Sequence, residues 1–220
     1  MESALFQQHG AAGLVQQVAM ATTHRLAHRA EQMLRAMIRI ESPADRLAAF
    51  NAGGPLVICL CLDTFPNSLG IARAALIAGL TRSWGVSPSH GAPKRVIKAV
   101  CKAMATFKGD VLVIQGGLRL FKLHASSHMV ETVAMVEATA TAMRSFRHDD
   151  TVQHFGATVI CAVNSIEPRR LKDAHGEMGA NSIMVTSVAL AVSSPPSLRI
   201  GDRSWQEVVL ATYPRLRVRQ

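Results

Sequence analysis

Apolar and polar positions follow two periods along this chain. Over residues 14–40, Leu26, Met33, Met37 and Ile40 recur at helical spacing, while Arg25, Arg29, Arg35 and Arg39 lie mostly off that stripe. The segment predicts an amphipathic helix. Ser42-Pro43 stops it, and a short helix is expected over 43–50 with Pro43 in its first turn. The run NAGGP (Asn51 to Pro55) is a break. Beyond it, Leu56 to Leu62 (LVICLCL) is continuous and apolar, which predicts a buried strand. Residues 67–84 predict a helix capped by Asn67 or Ser68. Pro93 opens another helix, running to about Phe107.

Asp110 to Gln115 (DVLVIQ) and Leu118 to Leu123 (LRLFKL) flank Gly116-Gly117, a pattern that predicts a tight β-hairpin. A helix over 127–147, capped by Ser126 or Ser127, precedes a second buried strand, Ala157 to Val163. A short polar helix over 167–178, an apolar strand at Ile183 to Val192 and a basic-edged strand at Tyr213 to Arg219 complete the reading. No internal repeat is evident. The expected fold is therefore α+β: a helical N-terminal arm, residues 1–54, and a core domain, residues 55–220. That core would be a mixed sheet of about five or six strands packed with three or four helices.

Composition then narrows the class. Of 220 residues, 49% are hydrophobic, 18% charged and 5% aromatic, which excludes a chain disordered by composition. Four cysteines are too sparse for a disulfide scaffold, and all four lie in apolar stretches. In a strand, Cys59 and Cys61 would share one face, as buried small hydrophobes. The start MESALFQQHGAAG has no basic region followed by an apolar run, and no apolar run is long enough to span a bilayer. A protein of a reducing compartment, cytoplasmic or nuclear, with no transmembrane segment is expected.

Charge changes the picture most. The formal net charge is +9, from 24 basic and 15 acidic residues. Residues 55–125 carry nine basic and two acidic groups, so +7, and each flank carries +1. Lys94, Lys98 and Lys102 are spaced i, i+4, i+8 and stack along one side of the predicted helix. No acid occurs from Thr64 to Gly109. Lysines accumulated in this way suit an external polyanion, above all a phosphate backbone. Lys94, Arg95, Lys98, Lys102, Lys108, Arg119 and Lys122 are the candidate nucleic-acid-binding residues.

Leu80 to Val86 (LTRSWGV), between two predicted helices, resembles a helix-turn-helix, and the predicted hairpin resembles the wing of a winged-helix domain. The turn Gly85 to Gly91 is longer than that motif's. The lysine-bearing helix also resembles the last helix of a double-stranded-RNA-binding domain, without the three strands that should precede it. Neither resemblance assigns a family.

Catalytic signatures are sparse. His24/His28 and His124/His128 have the i, i+4 spacing of metal ligands, without a third ligand or the Glu of H-E-x-x-H. Asp149-Asp150 reads as a solvated pair. Asp173, His175 and Glu177 form the best acid/base cluster, the basis of an alternative reading as a small α/β enzyme. The leading expectation is a non-enzymatic RNA- or DNA-binding protein, without metal or cofactor. It extends to a self-assembling structural protein, such as a viral coat or matrix protein. A further alternative is a homo-oligomer subunit that binds an anionic membrane.

Overall fold

A computed structural model of the chain describes residues 2–79, 92–124, 132–164, 186, 199–200, 203–204 and 207. Helix accounts for 83% of the described residues, so the expected α+β fold with a five- or six-stranded sheet is corrected to a helical one. Two compact units are present, Met1–Leu120 and Phe121–Gln220.

The first unit holds α1 (Glu2–Thr23), α2 (Ala27–Ile38), α3 (Pro43–Asn51), α4 (Gly54–Thr64), α5 (Leu69–Ala78), α6 (Ala92–Thr106) and most of α7 (Val111–His124). Its N-terminal helix is broken where the sequence pattern runs on. Between Thr23 and Ala27 the chain turns through Arg25, a non-glycine residue at φ 55°. Ser42 caps α3 through the Asp45 amide, and Ser68 caps α5 through the Ile71 amide, each at 3.4 Å.

Leu56 to Leu62 is helical, not a strand. It lies in α4, which opens on Gly53 in the left-handed region (φ 91°) with Pro55 in its first turn. Val57, Ile58, Cys59, Cys61 and Leu62 are all buried, because α1, α3, α5 and α6 pack around this helix. The remaining face carries Leu56, which is exposed, and half-buried Leu60, so the run is apolar on its outer side as well and carries no period to separate it from a strand. In a helix, Cys59 and Cys61 do not share a face. The Thr22 hydroxyl, which donates to the Val18 carbonyl at 2.7 Å, lies 3.1 Å from the Cys61 sulfur and ties α1 to α4.

The predicted hairpin at 110–123 is the continuous helix α7. Gly116 and Gly117 are close-packing sites within it. A Cβ at Gly116 would meet the Leu76 Cβ of α5 at 3.0 Å, and one at Gly117 would collide with the Met104 side chain of α6. The glycines remove side chains where helices touch, which the pattern alone reads as a turn.

The second unit contains α8 (Thr132–Ser145), α9 (Asp150–Asn164) and the described residues beyond them. The strand expected at Ala157 to Val163 is part of α9, with Ala157, Val159, Ile160 and Val163 buried. Buried Gln153 donates to the Met143 and Phe146 carbonyls at 2.8 and 3.1 Å, satisfying the C-terminal end of α8. Extended pairing among the described residues is one antiparallel ladder, β1 (Arg199–Ile200) with β2 (Arg203–Ser204). Ser204 and Glu207 then exchange side-chain-to-amide hydrogen bonds as a capping box. The strands and short helix expected at 167–178, 183–192 and 213–219 lie outside the described residues, apart from Thr186, which is helical.

An internal repeat is present after all. Ala103/Ala142, Met104/Met143, Phe107/Phe146, Asp110/Asp149, Val113/Val152 and Gly117/Gly156 are identical pairs, each 39 residues apart (149 − 110 = 39). The structure gives the pairs the same jobs. The Asp110 carboxylate accepts from the Val113 amide at 3.0 Å, and the Asp149 carboxylate from the Val152 amide at 2.8 Å. Met104 packs where Gly117 lacks a side chain, and the Met143 Cγ lies 2.5 Å from a Cβ built at Gly156. Thus α6–α7 and α8–α9 are two copies of one helical hairpin. Each has a methionine seated on a glycine and an aspartate opening the second helix.

Among the described residues, no single helix is long and apolar enough to cross a membrane. The pair α3 and α4 meets the length and composition of a span only across a 63° bend.

The methionine–glycine seat predicts a position-dependent cost. Gly117→Leu overfills the α6–α7 contact and should lose about 1–3 kcal/mol in thermal or urea unfolding. Adding Met104→Ala should restore part of that loss through coupling. Gly109→Ala, where an added Cβ meets nothing within 4 Å, should change stability by under about 0.5 kcal/mol. Equal losses at Gly117 and Gly109 would contradict the packing role.

Candidate nucleic-acid interface

The helix expected from Pro93 to about Phe107 is α6, and its two faces separate cleanly. Val96, Ile97, Ala99, Val100, Ala103 and Met104 are buried. Lys94, Arg95, Lys98 and Lys102 are exposed. At about 100° per residue, the four cations occupy an arc of about 100°, with Lys94 at one margin and Arg95 and Lys102 at the other. The buried residues fill the opposite side, where α6 packs on α4 and, through Val100 and Met104, on Gly117 of α7.

The remaining candidates lie off this helix. Lys108 is exposed in the turn after α6, and Arg119 is exposed on α7. Lys122, in the last turn of α7, belongs to the second unit, where its ammonium lies 5.9 Å from the centre of the Phe155 ring. That is a cation–π contact within the fold. The structure therefore groups Lys94, Arg95, Lys98 and Lys102 on one helix face and places Lys122 with other partners.

Arg73, counted in the basic middle third, is committed elsewhere. Its Nε donates to both Asp110 carboxylate oxygens at 3.2 Å, and its Nη2 forms an ion pair with Asp110 Oδ2. Asp110 is thus both the N-cap of α7 and the partner of α5. The Arg73 guanidinium holds its carboxyl below the usual carboxylate range, and the Val113 amide adds to that effect.

Within the repeat, α8 serves as a comparison for α6. The positions equivalent to Lys94, Arg95, Lys98 and Lys102 are Val133, Ala134, Glu137 and Thr141. Arg119 corresponds to Thr158 and Lys122 to Cys161, whereas Lys108 keeps its charge as Arg147. The hairpin forms in both copies with the same cap and the same methionine seat, so its construction does not require the four cations of α6.

The other candidate chemistry does not assemble. His24 lies in the turn after α1 and His28 in α2, so the break at Arg25 removes their i, i+4 helical spacing, and His28 hydrogen-bonds Gln32 at 2.9 Å. Asp149, read from the sequence as half of a solvated pair, is the cap of α9. Burial pushes the Cys59 thiol up to about 12, with the Asp63 charge adding to the rise and Arg95 opposing it. Burial likewise raises Cys61 and Cys161 to about 11, so none of these three is an activated nucleophile at neutral pH. No group of three His, Cys, Asp or Glu side chains suited to a metal occurs among the described residues. Asp173, His175, Glu177 and His128 lie outside the described residues, as does the whole LTRSWGV segment.

Sequence reasoning missed the dual role of Asp110 and the copy in α8–α9. The cap and the copy were signalled by Asp-x-x-Val recurring at 110 and 149 ahead of a glycine seven residues from each aspartate, whereas the pairing of Asp110 with Arg73 was not. The chain matches no known protein family, no curated protein and no solved structure.

Asp110→Ala removes the cap and the Arg73 pair together. The cap alone should cost about 1 kcal/mol at neutral pH. Because the folded carboxyl is depressed, its contribution is complete above the unfolded value of about 3.9 and fades as pH falls through the lower folded value. Urea unfolding of wild type and variant should therefore differ at pH 7 and converge towards pH 2. A gap that stays constant with pH would contradict the ionised contribution.

Proposed function

We propose that this chain is a non-enzymatic binding protein that holds the phosphate backbone of a nucleic acid on the outer face of α6. One observation carries the reading: four exposed cations share an arc of α6, and the matching hairpin α8–α9 is built without them. Like charges three and four residues apart on a helix cost a few tenths of a kcal/mol per pair. The repeated framework does not need that arrangement, so an external anion is the economical reason for it. Phosphate polymers meet such a face by releasing condensed counterions. Lysine-rich contacts of this kind position a ligand by its backbone and carry no direct base readout.

The internal copy supplies the test. Lys94→Val, Arg95→Ala, Lys98→Glu and Lys102→Thr together give α6 the side chains of α8. Fluorescence anisotropy with labelled nucleic acid should show binding by the wild type that weakens about a hundredfold between 50 and 200 mM salt, as expected for four neutralised phosphates. The fourfold variant should lose that binding and keep its melting temperature within about 4–8 °C even if all four changes add, since a single surface change rarely exceeds about 0.5 kcal/mol. Unchanged affinity in a folded variant would overturn the assignment to α6.

A further inference from the structure

We propose that the face formed by α1, α4 and α6 docks on an anionic bilayer surface, with Met20, Leu56 and Leu60 entering the interface and the α6 cations meeting lipid phosphates. The inference goes beyond the nucleic-acid reading and turns on apolar residues which that reading does not use.

The hairpin frame carries the geometry. In α4–α5 the cap is Ser68, which precedes Asp110 by 110 − 68 = 42 residues. At that spacing Phe65 matches Phe107, Leu62 matches Met104 and Ala75 matches Gly117. Exposure matches as well. Ile58, Cys61 and Leu62 are buried like Val100, Ala103 and Met104, while Leu56 is exposed like Lys98. Half-buried Leu60 takes the place of Lys102. In α1 a spacing of 104 − 22 = 82 residues does the same: Val18, Ala21 and Thr22 are buried like Val100, Ala103 and Met104, and Gln16 and Met20 are exposed like Lys98 and Lys102.

These equivalent positions share one side of the first unit. A Cβ at Gly70, near the start of α5, would collide with the Glu31 carboxylate in the first half of α2, and Arg73 of α5 pairs with Asp110 at the start of α7. The second helices α2, α5 and α7 therefore begin side by side. Each is joined to α1, α4 or α6 by a turn of three or four residues, so the first helices also run alongside one another, with α4 packed on both α1 and α6. Packed helix axes lie about 8–10 Å apart. Met20, then Leu56 and Leu60, then Lys98 and Lys102 thus form adjacent strips of one face.

The make-up of that face names the partner. Met20 and Leu56 are 54% and 51% exposed, so they stand out from their helices. A protein partner would have to bring pockets for them, whereas a bilayer interface admits protruding apolar side chains directly. Beside them the α6 cations supply the positive charge that anionic headgroups attract. The acid on these strips, Asp63, stands one turn past Leu60 near the end of α4. Apolar area next to basic charge is the combination by which a peripheral protein holds an anionic membrane, with no helix crossing it.

The test is flotation of the full-length protein with vesicles of phosphatidylcholine alone and with vesicles carrying about 30% phosphatidylserine. The anionic vesicles should bind at least about tenfold more tightly than the neutral ones. Met20→Gln combined with Leu56→Gln should weaken that binding at least about tenfold by removing the apolar contribution. The same variant should keep its helical circular dichroism and any anisotropy signal with labelled nucleic acid. No flotation by the wild type, or equal flotation by wild type and variant, would overturn the inference and leave the nucleic-acid reading untouched. Dimerisation in light scattering that the double substitution abolishes, without flotation, would overturn it in favour of a second copy of this chain on the face. Flotation by a protein that shows no anisotropy with nucleic acid would overturn the nucleic-acid reading alone.

Discussion

A methionine seated on a glycine is the contact on which the described hairpins depend. Where α6 meets α7, the missing side chain of Gly117 makes room for Met104, and Gly156 makes the same room for Met143 between α8 and α9. Methionine suits this role because its unbranched, polarisable side chain fills irregular gaps. The seat also explains an otherwise costly choice, since glycine in a helix interior sacrifices about 1 kcal/mol relative to alanine. An aspartate then fixes where the second helix begins, by taking the amide three residues on. Cap and seat together set the length of the turn and the approach of the two helices. Other residues of the hairpin are left free to vary.

That freedom is where function enters. Two copies of one frame differ on their outer faces: four cations on α6, and Val133, Ala134, Glu137 and Thr141 on α8. The buried positions answer to packing, and the exposed ones answer to whatever the helix meets. In the first unit the frame is also locked to α5, because Asp110 adds an ion pair with Arg73 to its capping role. The cationic helix thus has one face against its neighbours and carries its four exposed cations on the other.

The parts legible in the sequence were those with a period. Helix α6 could be read because half of it is buried and half exposed, which gives the 3.6-residue pattern its contrast. Helix α3 was readable from Ser42-Pro43, where a cap and a first-turn proline coincide. Helix α4 was not, because exposed Leu56 and half-buried Leu60 are as apolar as its buried residues, which erased the contrast and left LVICLCL looking like a strand. In α7 the obstacle was glycine itself, which marks a tight turn and a close helix contact with the same letter. Only the partner methionine, thirteen residues away (117 − 104 = 13), distinguishes the two. The repeat escaped notice because its identities are confined to framework positions while the exposed positions diverge. Of the candidate site, Lys94, Lys98 and Lys102 were legible as one face, and exposed Arg95 joins them only in the structure. The engagement of Lys122 with Phe155 required the packing of α7 near α9 within the second unit.

The most direct test of a ligand held on one face of one hairpin is a lysine footprint. The intact protein would be acetylated briefly with and without a saturating nucleic-acid ligand, and modification read residue by residue by mass spectrometry. The account predicts that Lys94, Lys98 and Lys102 become protected together, while Lys122, held over the Phe155 ring, changes little. Protection centred on other lysines, with these three still reacting at their free rate, would contradict it.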